Sequence, residues 1–69
     1  MAITLRAARI NAGLTQKDAA KLIGVNASMI NKWENGGSSP TAKRIDKMLE
    51  VYNVKYEDVI FSPKNPLKT

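Results

Sequence analysis

The stretch from residue 16 to residue 35 constrains the fold most, because two short helical patterns meet there at a turn. Gly24 and Val25 form the turn, and Asn26 can cap the second helix, because its side-chain oxygen can accept an N–H that otherwise lacks a partner. Ala20 is small, which allows two helices joined by a tight turn to approach each other closely. The stretch therefore predicts two short helices that pack against each other.

The second helix of this stretch has two contrasting faces. At about 100° per residue, Met29, Ile30 and Trp33 fall on one arc roughly 100° wide, which predicts a buried stripe. The nearly opposite arc of about 140° contains no carboxylate and consists of Ala27, Ser28, Asn31, Lys32 and Asn35. One face is predicted to be buried, and the other offers polar donors and a cation. That combination is typical of a helix that lies in a nucleic-acid groove.

Composition excludes several other classes of protein. Sixty-nine residues make one domain, which must have a small and compact core. The chain has no cysteine and no histidine, and its six carboxylates show no paired arrangement. We therefore predict no enzymatic activity, no metal and no cofactor. The apolar runs are too short for a bilayer span and no secretory signal is recognisable, so we expect a cytoplasmic protein without membrane association.

The chain is strongly basic. Eleven Lys and Arg residues against six Asp and Glu give a net charge of +5 and a pI near 9.8. Such an excess attracts nucleic acid, but it is equally compatible with a basic surface that only keeps the protein soluble. The positions of the cations must decide between the two interpretations.

One further helix precedes residues 16–35, and the first helix of that stretch has a recognisable start. Residues 3–12 are predicted to form the preceding helix, with Thr4 as a candidate N-cap and Gly13 as its stop. Its inward residues are predicted to be Leu5, Ala8 and Ala12. Thr15 and Asp18 approximate a capping box at the start of the helix that leads into the turn. The inward residues of that helix are predicted to be Ala19, Ala20 and Ile23.

The last third of the chain adds a fourth helix after the turn-rich residues 36–40. Either Thr41 or Ser39, followed by Pro40, can cap it. Its inward residues are predicted to be Ile45, Met48, Leu49 and Tyr52, and Asn53 can end it in a left-handed conformation. Residues 54–61 predict one or two helical turns with three inward residues, Tyr56, Val59 and Ile60. No strand pair is expected, and residues 62–69, with two prolines and no periodicity, predict a flexible tail.

Residues 16–35 resemble the helix-turn-helix of the phage repressor and Cro DNA-binding family, the xenobiotic-response-element type. The matching features are Gln16, Ala20, Gly24, Ile30 and Trp33, together with the flanking motifs Gly13-Leu-Thr-Gln16 and Trp33-Glu-Asn-Gly36. The resemblance extends over residues 4–61. It implies an all-α, lambda-repressor-like bundle of four to five short helices that forms a DNA-binding domain over residues 1–61. It also implies sequence-specific binding to a double-stranded DNA operator, usually as a homodimer.

The resemblance also implies roles for individual residues. It assigns base contacts in the major groove to Ala27, Ser28, Asn31 and Lys32. It assigns phosphate contacts to Gln16 and Asn35, and a structural ion pair to Arg9 and Glu34. Ala27 is shorter than the polar side chain usual in the family, and can offer only an apolar contact to a thymine methyl group.

Some positions keep two interpretations open. Lys43 and Arg44 fall in the first turn of the fourth helix, where a cation opposes the helix dipole unless a phosphate binds nearby. We predict a phosphate contact for Lys43 and for the similar Lys17, and leave Arg44 open. Three apolar residues without an evident inward role are either ordinary exposed residues or a partner surface: Leu22, Val51 and Phe61.

The favoured function is a small transcriptional regulator of the phage Cro or repressor type that reads the major groove with residues 26–35. The alternative is a protein-binding modulator of a partner repressor or toxin that keeps the helix-turn-helix fold. A third interpretation is that the polar face of the second motif helix is an ordinary solvated surface that binds no partner.

Overall fold

The computed structural model describes residues 2–61, which form a bundle of four α-helices and a short parallel strand pair. The helices are α1 (Leu5–Asn11), α2 (Gln16–Ile23), α3 (Ala27–Glu34) and α4 (Ala42–Tyr52), and a single 3₁₀ turn follows at Tyr56–Asp58. Strands β1 (Ile3–Thr4) and β2 (Val59–Ile60) have two residues each. The predicted all-α bundle is confirmed. The predicted tail, residues 62–69, lies outside the described residues, and the proposed domain boundary stays a prediction.

Every helix begins at a side-chain cap, as expected from short polar residues at helix starts. The caps are Thr4, Thr15, Asn26 and Thr41, so the first of the two alternatives for α4 is correct. The capping box of α2 is complete, because the Asp18 N–H donates to Thr15 Oγ1 at 3.0 Å and the Thr15 N–H donates to Asp18 Oδ2 at 3.3 Å. Such caps supply partners for backbone donors that a helix leaves unpaired.

The core lies where α2 packs against α3 and α4, and α1 also contacts both α3 and α4. The residues that are buried most completely are Leu5, Ala8, Ala19, Ile30 and Met48. Ala20 is only 4% exposed, in agreement with the close approach predicted for the two motif helices. No helix within residues 2–61 is long and apolar enough to cross a membrane.

Three expectations about element ends were wrong. Ala12 is exposed, because α1 ends at Asn11 and Ala12 serves as its C-cap. Tyr56 is 61% exposed, because the segment after α4 makes one 3₁₀ turn instead of a continuous helix. The chain then enters β2, which pairs with β1 through Ile3 opposite Val59. Strands of two residues have no detectable alternation in the sequence, so this pairing was not predicted.

The structure also corrects the interpretation of two apolar residues near the C-terminal end of the described chain. Val51 and Phe61 are partly buried and pack against the core. The ring of Phe61 additionally lies 5.2 Å from the ring of Tyr56. Both residues therefore have an inward role that periodicity within one helix did not indicate.

Candidate nucleic-acid interface

The turn between α2 and α3 has the closed geometry that a helix-turn-helix requires. Gly24 has φ 92° and ψ 33°, a left-handed conformation that a residue with a Cβ adopts only at a cost. The backbone N–H groups of Gly24 and Val25 both donate to the Ala20 carbonyl, at 2.8 and 2.9 Å. Asn26 Oδ1 then accepts the Met29 N–H at 2.9 Å and starts α3. These local bonds determine the direction in which α3 leaves α2.

Helix α3 has the two faces predicted for it. Ile30 is 0% exposed and Trp33 is 4% exposed, so this stripe anchors α3 in the core. The opposite face is exposed and contains Ser28, Asn31, Lys32 and Asn35. Ala27 is only partly exposed, because it packs against the core at the start of the helix. It is therefore at the edge of the exposed face.

The exposed face of α3 is ordered by hydrogen bonds between its own polar side chains. Ser28 Oγ donates to Asn26 Oδ1 at 2.9 Å, and Asn35 Nδ2 donates to Asn31 Oδ1 at 2.9 Å. Lys32 forms no ion pair within residues 2–61, so its ammonium group is available to an external anion or acceptor. The face thus combines oriented short polar groups with one unpaired cation.

A buried network below this face connects α1, α2 and α3. Arg9 Nε donates to Glu34 Oε2 at 2.7 Å, and each of the two residues is 8% exposed. Glu34 Oε1 also accepts from Arg9 Nη2 at 3.3 Å and from Gln16 Nε2 at 3.1 Å, while Arg9 Nη1 donates to the Leu14 carbonyl at 2.8 Å. The hydrogen bond with Glu34 raises the pKa of Arg9 further above its ordinary value. The network holds the start of α2 against the end of α3.

The candidate phosphate-binding residues lie at the ends of helices. Gln16 begins α2 and is partly exposed, and its amide keeps one hydrogen after bonding Glu34. Lys17 and Lys43 are exposed, and Asn35 follows α3 directly. The residues that the sequence predicted as phosphate contacts therefore lie at accessible positions, at the starts of α2 and α4 and at the end of α3.

Arg44 is the residue whose position the sequence left open. Its Nη1 atom lies 3.9 Å from the point that a Cβ on Gly24 would occupy, so the guanidinium group stands beside the turn of the motif. Arg44 is exposed and forms no ion pair within residues 2–61. The sequence contains no local signal for this proximity, because the two residues are brought together only by the packing of α4 on α2.

Charge is distributed unevenly along the chain. Residues 2–44 contain seven Lys and Arg residues and two carboxylates, whereas residues 45–61 contain two lysines and four carboxylates. The two carboxylates of the first part are Asp18, which completes a capping box, and Glu34, which is buried against Arg9. Within residues 2–61, the part that forms the helix-turn-helix is therefore the basic part.

Tyr52 is a buried polar group that belongs to the core and not to the exposed face. Its hydroxyl has no hydrogen-bond partner within residues 2–61. Burial raises the pKa of Tyr52 to about 12, and the nearby charge of Glu34 acts in the same direction. Among the described residues, no group of three or more His, Cys, Asp and Glu side chains could hold a metal ion.

The three candidate partner residues do not share one element. Leu22 on α2 is 54% exposed, whereas Val51 on α4 and Phe61 after β2 pack against the core. Ile10 and Tyr56 are also largely exposed, at 53% and 61%, and sequence reasoning did not single them out as surface residues. Leu22 is therefore the one member of the predicted set that is mainly solvent-exposed.

The fold and the site define a helix-turn-helix DNA-binding domain, and comparison with known proteins agrees. The chain belongs to the helix-turn-helix family of Cro/C1 type, whose family model matches residues 5–59. Members of this family are DNA-binding regulators, and a DNA-binding regulatory function is therefore established for this chain at the level of the family.

Two curated proteins are similar to the chain. It is 33% identical to antitoxin PezA of Streptococcus pneumoniae over 57 residues, which cover 80% of this chain and 36% of the antitoxin. It is 36% identical over 69 residues to glutamine--fructose-6-phosphate aminotransferase (isomerizing) of Methanocaldococcus jannaschii, a match that covers 93% of this chain and 6% of that protein. The chain thus spans about a third of one relative and a small fraction of the other. No solved structure is significantly similar to it.

Proposed function

We propose that the chain is a sequence-specific transcriptional regulator of the repressor or Cro type that places α3 in the major groove of an operator. The observation that carries this proposal is the exposed face of α3, where Ser28, Asn31, Lys32 and Asn35 stand opposite the buried Ile30 and Trp33. The major groove admits an α-helix and displays a distinct pattern of donors and acceptors for each base pair. Exposed donors on one side of a rigidly packed helix suit that task.

Direct base contacts are assigned in this proposal to four residues of α3. Ser28, Asn31 and Lys32 supply hydrogen-bonding groups, and Lys32 suits the two acceptors of guanine. Ala27 supplies at most an apolar contact, because its methyl group is partly buried. The competing interpretation, a solvated surface, does not account for the grouping of exposed polar side chains and a cation, without a carboxylate, on one face of α3.

Backbone contacts are assigned to residues around this face. Gln16 and Asn35 carry amide hydrogens that can donate to phosphate oxygens and so set the register without reading sequence. Lys17 and Lys43 add cations at the starts of α2 and α4. Arg44 joins this set in the proposal, because its unpaired guanidinium stands beside the turn that precedes α3.

Matched lysine variants separate base contacts from phosphate contacts. Lys32→Ala is expected to lose about 1–3 kcal/mol of discrimination at one base pair, whereas Lys43→Ala weakens all duplexes alike and makes the log–log salt slope about 0.9 less steep. Lys55→Ala is the control, since it removes the same charge beyond the other end of α4. The operator is first obtained by selecting bound duplexes from a random pool, and affinities are then measured at several salt concentrations.

The same experiment contains the result that would contradict the proposal. Equal affinity of the wild-type chain for the selected duplex and for a scrambled duplex would leave only non-specific binding. A palindromic selected sequence would in addition support binding as a homodimer, because two-fold symmetric proteins select two-fold symmetric sites.

A second candidate function is modulation of a protein partner. The name of one relative, an antitoxin, and the exposure of Leu22 favour it. In this case the domain alone binds DNA poorly, and tight binding requires the partner. Affinity capture of partners combined with gel shifts of the chain alone and of the captured complex distinguishes the two candidates, and a Leu22→Ser variant tests the surface.

A further inference from the structure

The exposed face of α3 contains two side-chain hydrogen bonds that determine which groups remain free for a ligand. Asn35 Nδ2 donates to Asn31 Oδ1 at 2.9 Å, across one helical turn. Ser28 Oγ donates to Asn26 Oδ1, also at 2.9 Å. In each pair, one residue is a proposed base contact, Asn31 or Ser28, and its partner, Asn35 or Asn26, is not.

An asparagine amide has an accepting end and a donating end, and only one of them can face the DNA. Because Asn31 Oδ1 points to Asn35, the two hydrogens on Asn31 Nδ2 are left to make other contacts. Ser28 has a single hydroxyl hydrogen, which Asn26 takes, so its oxygen is left as an acceptor. The face therefore presents a donor at position 31 and an acceptor at position 28.

We propose that Asn35 is a positioning residue that sets the base preference of Asn31 by holding the donating end of its amide toward the groove. The inference rests on the proposed function, since it concerns how α3 reads bases. Asn35 needs no base contact for this role, and its second Nδ2 hydrogen stays available to a phosphate. Asn26 acts in the same way on Ser28.

The chemistry of the base edges then predicts the preference at each position. In the major groove, guanine offers N7 and O6, adenine offers N7 and thymine offers O4 as acceptors, whereas cytosine offers only its N4 amino donor. Asn31 should therefore discriminate against cytosine at the base that it faces. Ser28 should favour a base whose amino group lies in the major groove, which means adenine or cytosine.

The size of the effect depends on water. On an exposed helix surface, a hydrogen bond between side chains four residues apart biases the amide by only about twofold. If the Asn31 amide were reversed in a closed groove, its Nδ2 would face the donor of Asn35 and its Oδ1 would face an acceptor of the base. Water could not enter to supply the hydrogen bonds that are lost. We expect about a fivefold preference in the complex, at the lower end of what a base contact provides.

Two variants of Asn35 test the proposal. Asn35→Asp offers only acceptor atoms, so Asn31 must turn its Nδ2 toward position 35 and present Oδ1 to the DNA. Asn35→Ala removes the constraint. Lys17→Ala is the control, because it changes the net charge by the same amount as Asn35→Asp and lies on α2, outside the exposed face of α3. An Asn31→Ala variant first identifies the base pair that this side chain reads, and circular dichroism verifies that each variant is folded.

The measurement is the relative affinity for the four bases at that position, after duplexes have been selected from a random pool. We expect Asn35→Asp to shift the preference about fivefold or more toward adenine or cytosine, Asn35→Ala to flatten it, and Lys17→Ala to lower affinity without altering it. An unchanged preference in both Asn35 variants, with affinity lowered uniformly, would overturn the inference and leave Asn35 as a phosphate contact. An Asn31→Ala variant that alters no position would also overturn it. Failure of the wild-type chain to select any sequence would instead refute the proposed function.

Discussion

Glu34→Ala is the substitution that tests most directly what holds the helix-turn-helix together. It removes the acceptor of three hydrogen bonds, from Arg9 Nε at 2.7 Å, from Arg9 Nη2 at 3.3 Å and from Gln16 Nε2 at 3.1 Å. Arg9 then keeps only its bond to the Leu14 carbonyl at 2.8 Å. A guanidinium group does not lose its proton in a protein. Arg9, which is only 8% exposed, would therefore remain charged without its counter-ion.

The magnitude follows from this burial. Removing one partner of a buried ion pair costs about 3–5 kcal/mol, and the remaining bond to Leu14 places the expected loss at about 3 kcal/mol. A domain of this size is stable by roughly 3–9 kcal/mol, so a large part of the free energy of unfolding is lost. At about 4–8 °C per kcal/mol, the Tm should fall by about 12–24 °C.

Thermal and urea unfolding, followed by far-UV circular dichroism and by the fluorescence of the buried Trp33, measure this loss. Glu50→Ala is the matched control, because Glu50 pairs with Lys47 at 3.8 Å on the surface and should cost less than about 0.5 kcal/mol. The effect at Glu34 should persist at high salt, since buried charges are screened little. A Tm of Glu34→Ala equal to that of Glu50→Ala would refute the reasoning.

Two other substitutions test the turn and the buried tyrosine. Gly24→Ala forces a residue with a Cβ into a left-handed conformation and should lower the free energy of unfolding, measured by chemical denaturation, by about 1–2 kcal/mol. Gly37→Ala is the control and should cost clearly less, because Gly37 lies outside the left-handed region and a Cβ there would make ordinary contacts. Equal losses would contradict the role given to the turn. The pKa of Tyr52 is raised to about 12 in the folded state. Between about pH 10 and 12 the folded protein therefore keeps the phenolic proton, whereas the unfolded chain releases it. The free energy of unfolding should fall as the pH rises through this window, by about 1.4 kcal/mol at pH 11. Tyr52→Phe should abolish this part of the decline and be neutral or slightly stabilising at pH 7, because the hydroxyl has no partner within residues 2–61. Chemical denaturation of the wild type and the variant at pH 7 and pH 11 measures this, and an equal decline in both proteins would contradict it.

Much of the fold follows from signals that lie close together in the chain. A cap and a stop bracket each helix, as Asn26 and Gly36 do for α3, and the 3.6-residue period identifies the buried stripe. The exposed face of α3 is predictable for the same reason, because removing one stripe into the core leaves the opposite one outside. The hydrogen bond between Asn31 and Asn35 also lies within one helical turn, although its direction requires coordinates.

Other parts of the site depend on residues that are far apart in the sequence. The position of Arg44 beside Gly24 comes from the packing of α4 on α2, and no pattern within α4 distinguishes this side chain from an ordinary exposed cation. The pairing of Arg9 with Glu34 was inferred from resemblance to a family, because nothing local connects two residues 25 positions apart.

By itself the sequence determined the four α-helices, the caps of the first three and most of the residues that they bury, because these depend on backbone donors and side chains within a few residues of one another. Only the tertiary structure decided that Ile3 pairs with Val59 and that Phe61 packs against the core. Such contacts join the two ends of the described chain, and they form wherever the packed helices bring backbone and apolar groups together. Local periodicity contains no information about that meeting point, because it is set by the packing of the whole bundle.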